Sequence, residues 1–191
     1  SYKKGYFKVD GHQIYYELCG YPNGKPVMFV HGGPGGGFSD KDKRFFNLKK
    51  FNVILFDQRG SGRSKPFASL KGNTTFKLAE DMRKLLKHLK IDKVILFGGS
   101  WGSTLSLVYA IRYPETVNRM VLRGIFLGGK EEDDYFVYGV KDHFPEAWNR
   151  MTSLVPEGKN ILNYYYEQMK SKNKKIRKKF TLEWARYEFS V

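Results

Sequence analysis

The sequence predicts an α/β fold built around a mostly parallel sheet, and three features predict it. Four short apolar runs, Val27 to Val30, Val53 to Phe56, Val94 to Phe97 and Met120 to Leu122, are separated by segments long enough for crossovers. Their apolarity is continuous rather than alternating, which fits strands covered on both faces. Between the second and third runs, Leu78, Met82, Leu85, Leu86 and Leu89 recur at helical spacing. Lys77, Asp81, Lys84 and His88 share the opposite face, so a surface helix is expected there. Glycine-rich loops stand directly behind the first three runs, at the strand ends where such sheets place their ligand sites.

Taken in chain order, Gly5 to Val9 and His12 to Cys19 flank Asp10-Gly11, a hairpin signal, so an antiparallel ribbon is expected to lead into the sheet. The first run opens onto His31-Gly32-Gly33-Pro34-Gly35-Gly36-Gly37, and the second onto Asp57-Gln58-Arg59-Gly60-Ser61-Gly62-Arg63-Ser64. Either loop alone has the composition of a phosphate loop, but no G-K-[ST] appears and neither fits G-x-G-x-x-G in position. The third run opens onto Gly98-Gly99-Ser100-Trp101-Gly102 and then a helix-like stretch. A serine hydroxyl is a poor nucleophile until a tight strand-to-helix turn exposes it, with a base on one side and backbone N–H groups on the other. The glycines permit such a turn, which makes Ser100 the candidate nucleophile. After Arg123 no strand-like run follows, only three aromatic-rich, helix-like pieces, Asp133 to Arg150, Asn160 to Lys170 and Thr181 to Phe189. A core over residues 1–123 and a helical cap over residues 124–191 are expected, with the boundary near Gly124.

Composition removes several classes of function. The 191 residues suffice for one well-cored domain with a smaller attachment, and 41% hydrophobic with 28% charged residues is ordinary for a globular protein. An aromatic share of 16% has to line something. The charge-free window from Val94 to Ile111 holds three Gly, three Ser and one Thr around the serine motif, which argues against a membrane span. No apolar stretch follows the basic residues at the N-terminus, and Cys19 is the lone cysteine, so a cytoplasmic, reducing location is expected. The formal charge of +15 is spread along the chain. Its one dense block, Lys170 to Lys179, reads as a solvated loop or helix face, so neither nucleic acid nor membrane is expected as a partner.

The loops together resemble the α/β-hydrolase fold, and the match narrows to the proline iminopeptidases. It rests on HGGPGGG at 31–37, DQRGSGRS at 57–64, GGSWGS at 98–103 and Leu122-Arg123-Gly124-Ile125-Phe126. It continues through Phe144-Pro145-Glu146-Ala147-Trp148 into Trp184-Ala185-Arg186-Tyr187-Glu188 and so covers nearly the whole chain. Tyr187 departs from the family, which more often has Trp before the glutamate, and the stretch between Phe126 and Phe144 is slightly shortened. The resemblance implies release of an N-terminal proline from peptides by acyl transfer, without cofactor or metal. It implies Ser100 as nucleophile and the amides of Gly33 and Trp101 as oxyanion hole. It further implies Glu188 as the carboxylate that binds the substrate's ammonium, and Phe126 and Phe136 as aromatics around the proline ring. A charged imino terminus beside a hydrophobic ring suits a carboxylate among aromatic walls.

A serine nucleophile in this fold needs an acid and then a histidine further along the chain. After Ser100 the only histidine is His143, within the cap, and Asp133, Asp134 and Asp142 lie in the same aromatic segment. The chain therefore reads as the front part of an enzyme, inactive alone. A carboxylesterase using the same turn and a non-catalytic binding module of the same fold are the alternative readings. Epoxide hydrolases and dehalogenases need Asp at the nucleophile position and are disfavoured.

Overall fold

Asp10 and Gly11 turn the chain through a tight hairpin at φ 46° and 78° in the computed structural model, which describes residues 1–191. The hairpin joins β1 (Lys3–Val9) to β2 (His12–Gly20), and β2 pairs antiparallel with β4 (Phe51–Phe56). From β4 onward the sheet is parallel, through β3 (Lys25–Val30) and β5 (Val94–Ser100) to β6 (Val117–Ile125), in the order β1-β2-β4-β3-β5-β6. The expected parallel sheet with a leading ribbon is thus the observed one. No helix is long and apolar enough to cross a membrane.

Successive residues of the central strands serve opposite faces, which is why their runs are continuously apolar. Met28, Val30, Ile54, Phe56 and Leu96 face α1 (Thr75–His88) and α2 (Trp101–Arg112), packing on Leu78, Met82, Leu85, Leu86, Leu105 and Tyr109. Phe29, Val53 and Leu55 form the opposite cluster with Cys19 and Phe38. Each large side chain buried this way contributes about 1.5–3 kcal/mol. The run Met120 to Leu122 departs from the expectation of two covered faces: Met120 and Val121 are exposed on β6, the edge strand of the sheet.

One face of α1 differs from the expectation. Asp81, expected on the solvent side with Lys77 and Lys84, is buried and takes two hydrogen bonds from Arg59, at 2.7 Å from Nε and 2.6 Å from Nη2. Arg59 is buried as well, and its remaining bond goes to the Gly72 carbonyl at 3.0 Å. A bidentate carboxylate is what allows a guanidinium to lie inside the first unit.

The chain divides into compact units Ser1–Leu127 and Gly128–Val191. The division falls just beyond the expected Gly124 because the Phe126 backbone is tied into the first unit: its N–H donates to Ser103 Oγ at 3.0 Å and its carbonyl accepts from the Thr104 hydroxyl. The second unit is helical, with α3 (Lys130–Asp134), a π-helical turn (Tyr135–Gly139), α4 (Pro145–Thr152), α5 (Ile161–Met169) and α6 (Lys174–Glu188). The expected single helix from Asp133 to Arg150 is broken because Phe144, held before Pro145, leaves the helical region. The last helix begins at Lys174 rather than Thr181, since the Asn173 side chain accepts from the Lys175 and Ile176 amides and caps it. The basic block therefore lies mostly on an exposed helix start. Val137, Ala147, Met151, Tyr165, Phe180 and Tyr187 form this unit's own core, with Phe180 edge-on to Tyr165 at 5.1 Å.

Candidate active site

Ser100 ends β5 and precedes α2 with φ 53° and ψ −127°, a conformation that L residues seldom hold. The turn is that tight because two glycines let three backbones meet. A Cβ on Gly102 would sit 2.0 Å from the Val30 carbonyl oxygen, and one on Gly98 would sit 2.3 Å from the Gly102 oxygen. Ser100 is exposed, and its side chain makes no cap bond to α2. Ser103 supports the turn instead, its hydroxyl donating to the Ser100 carbonyl at 2.6 Å. The hydroxyl of Ser100 is thus left available at a helix N-terminus, where unpaired amides favour negative charge.

The glycine loop after β3 runs alongside. A Cβ built on Gly32 would lie 3.4 Å from Ser100 Cβ and 3.9 Å from its Oγ. Gly33, at φ 119°, leaves no room for a side chain, because a Cβ would meet the Gly35 and Gly36 nitrogens at 2.5 and 2.7 Å. The structure therefore brings Ser100, Trp101, the Gly32-Gly33 segment and Phe126 into one neighbourhood of the first unit, with Phe126 moored by Ser103 and Thr104. Such a group can offer a nucleophilic oxygen to a carbonyl carbon and backbone donors to its oxygen.

Both ends of the glycine loop are held by the loop after β4. At the far end, the buried Asp57 carboxylate accepts from the Phe38 amide at 2.9 Å and from Arg63 Nε at 2.7 Å. The Arg63 guanidinium lies 4.0 Å from the Phe38 ring centroid and 4.4 Å from that of Tyr15. At the near end, His31 Nε2 accepts from the Gln58 amide at 3.0 Å, while Nδ1 lies 2.9 Å from the Gly32 carbonyl oxygen and 3.2 Å from the Gly37 amide nitrogen. Gln58 also donates from Nε2 to the His31 carbonyl at 2.8 Å and accepts at Oε1 from the Trp101 indole at 3.1 Å. Ser103, Thr104 and Gln58 were not singled out from the sequence. The available signal is their place in the sequence, Gln58 and Ser103 within the quoted motifs and Thr104 directly after one.

Burial pushes the His31 imidazole below the usual histidine value of 6.5, so the folded state keeps it neutral where the unfolded chain takes up a proton. Its contribution to stability is present above about pH 6.5 and is lost as pH falls below it. The urea midpoint of the wild type is therefore expected to drop between pH 7 and 5.5. A midpoint that does not move in that interval contradicts this role for His31.

Phe136 and Glu188 belong to the second unit. Phe136 is half-buried, packing edge-on to Tyr187 at 5.2 Å and tilted against Trp184 at 5.9 Å, and its carbonyl accepts from the Tyr187 hydroxyl. Glu188 is exposed in the last turn of α6 and carries no ion pair, whereas Glu183, earlier in the same helix, is buried against Arg150 Nε at 2.6 Å. His143 is exposed in the same unit. No three His, Cys, Asp or Glu side chains are arranged to hold a metal ion.

Comparison with known proteins identifies the fold family. Residues 25–186 match a family model described as alpha/beta hydrolase fold. A proline iminopeptidase of Arabidopsis thaliana is 43% identical over 98% of this chain and 50% of its own length. Another, from Xanthomonas citri, is 42% identical over 98% of this chain and 61% of its own length. The chain thus spans about half to three-fifths of these curated relatives. Among solved structures, a proline iminopeptidase-related protein from Thermus thermophilus superposes with a TM-score of 0.57 at 31% identity, covering 63% of this chain and 43% of that one. An alpha/beta hydrolase enzyme from a deep-sea metagenome library gives 0.59 at 21% identity, covering 96% of this chain and 66% of that one, which speaks for the fold alone.

Proposed function

Because the chain belongs to the α/β hydrolase fold family, we propose that it is the N-terminal part of a serine hydrolase that releases N-terminal proline from peptides. The observation that carries this reading is the exposed Ser100 hydroxyl on its strained turn beside the Gly32-Gly33 loop. In the proposed reaction Ser100 Oγ attacks the prolyl carbonyl carbon and yields its proton to a histidine from outside residues 1–191. The Gly33 and Trp101 amides receive the charge on the carbonyl oxygen. The C–N bond then breaks, the peptide amine leaves with the proton, and water releases proline from the ester. The single, buried Cys19 thiol is in keeping with a reducing, cytoplasmic setting.

The position of Glu188 supports its role as the ammonium-binding carboxylate. A negative side chain in the last turn of a helix is opposed by the helix dipole, and Glu188 forms no ion pair there, so helix stability does not account for it. In the complete polypeptide, Glu188→Gln is expected to lower kcat/KM on prolyl substrates by about 1.5–3 kcal/mol, the worth of a charged hydrogen bond. Hydrolysis of an uncharged ester should change little. Equal losses on both substrates favour a structural role, and an undiminished prolyl activity removes Glu188 from the site.

The reading is tested by comparing the complete polypeptide with residues 1–191 on a chromogenic proline amide. The complete polypeptide is expected to release proline, whereas residues 1–191 retain only the acceleration of oxyanion hole and binding, on the order of 10³ to 10⁴ over water. A purified, soluble monomer of residues 1–191 that turns over proline amides would overturn the proposal.

A further inference from the structure

We propose that Gln58 is the positioning residue of the oxyanion hole, setting the distance between its two donor segments by bonding His31 on one side and Trp101 on the other. This rests on the serine hydrolase reading. Gln58 is buried directly after β4, and its main-chain N–H and both ends of its side-chain amide are all spent on those two residues. The orientation of the amide is fixed by chemistry. An indole N–H can only donate and a carbonyl can only accept, so Oε1 must face Trp101 and Nε2 must face His31.

The consequence is geometric. His31 leads directly into Gly32 and Gly33, and Trp101 carries the second donor on its own backbone. The two segments come from different strands, β3 and the junction of β5 with α2, and no sheet bond joins their loops. The strands pair as far as Val30 and Gly98, and beyond them Gln58 ties the two loops together with one neutral side chain. Oxyanion donors act only when they are held where the charge develops, and a displacement of about 1 Å costs on the order of 10²-fold in rate. A glutamate at this position keeps the shape but turns an acceptor toward the His31 carbonyl and adds negative charge beside the developing oxyanion, so neutrality matters as well as length.

The test uses the complete polypeptide and a proline amide substrate. Gln58→Leu is expected to lower kcat about 10- to 100-fold with KM within about twofold, because the lost interaction matters only in the transition state. Gln58→Glu is expected to lose at least as much. Trp101→Phe keeps the backbone donor but removes the indole, and Gln58→Leu added to it should cost much less than it does alone. Additive losses, an unchanged kcat, or a rise in KM that accounts for the whole effect would overturn the proposal. Should Gln58→Leu fail to fold, unchanged kcat in both Gln58→Glu and Trp101→Phe overturns it equally. Labelling of the wild type by a fluorophosphonate separates the two levels: an unlabelled wild type sinks the hydrolase reading and this inference together, whereas a labelled wild type with indifferent Gln58 variants sinks this inference alone.

Discussion

Ser100→Ala in the complete polypeptide is expected to abolish covalent labelling by a fluorophosphonate and to lower prolyl turnover by roughly 10⁴- to 10⁶-fold. Alanine tolerates φ 53° no worse than serine, and the Ser100 side chain makes no cap bond, so the turn should survive the change. The Gly33 and Trp101 amides proposed as oxyanion donors and the Phe126 mooring remain, since both depend on the backbone and on Ser103 and Thr104 rather than on the Ser100 hydroxyl. Thermal stability and KM should therefore stay near wild-type values while kcat collapses. Labelling that persists in Ser100→Ala, located by peptide mapping, would identify a different nucleophile.

Gly102→Ala is expected to destabilise the protein by about 4 kcal/mol or more, or to leave it insoluble. Helix propensity argues the other way, since alanine is favoured over glycine inside a helix by about 1 kcal/mol. Packing decides the sign. The new methyl would lie 2.0 Å from the Val30 carbonyl oxygen and 2.9 Å from its carbon, both backbone atoms of β3 that cannot rotate aside. Relief requires α2 to move off the sheet, which opens the core around Leu105 and Tyr109. A urea midpoint equal to that of the wild type, with an unchanged slope, would show that β3 and α2 are not as closely opposed as described.

The sheet and the serine turn were legible because their signals are local. Continuous apolar runs and glycines at strand ends report on the nearest few residues, and the positions of β3, β4, β5 and α2 followed from them. Asp81 was misread for the opposite reason. Its burial depends on Arg59, which reaches it from another element, and helical periodicity alone assigned it to solvent. Gln58 carries no periodic signal either, since its partners His31 and Trp101 come from two other loops. The start of α6 was obscured by its lysines, which mask the Asn173 cap. Phe136 and Glu188 could be matched by resemblance to a family, yet what each side chain faces follows from packing that no spacing rule contains.

The backbone of Ser100 has a consequence on an evolutionary scale. Its φ of 53° with ψ of −127° belongs to a region that glycine occupies freely and other residues hold at a cost of order 1–3 kcal/mol. Selection for stability alone would thus move this position toward glycine, and only a need for the hydroxyl opposes that drift. Copies of the gene that lose their chemistry should forfeit the serine early while keeping Gly98 and Gly102, whose absent side chains the fold itself requires. The residue at position 100, read beside its two glycines, then distinguishes a working lineage from one that retains the architecture after its reaction is gone.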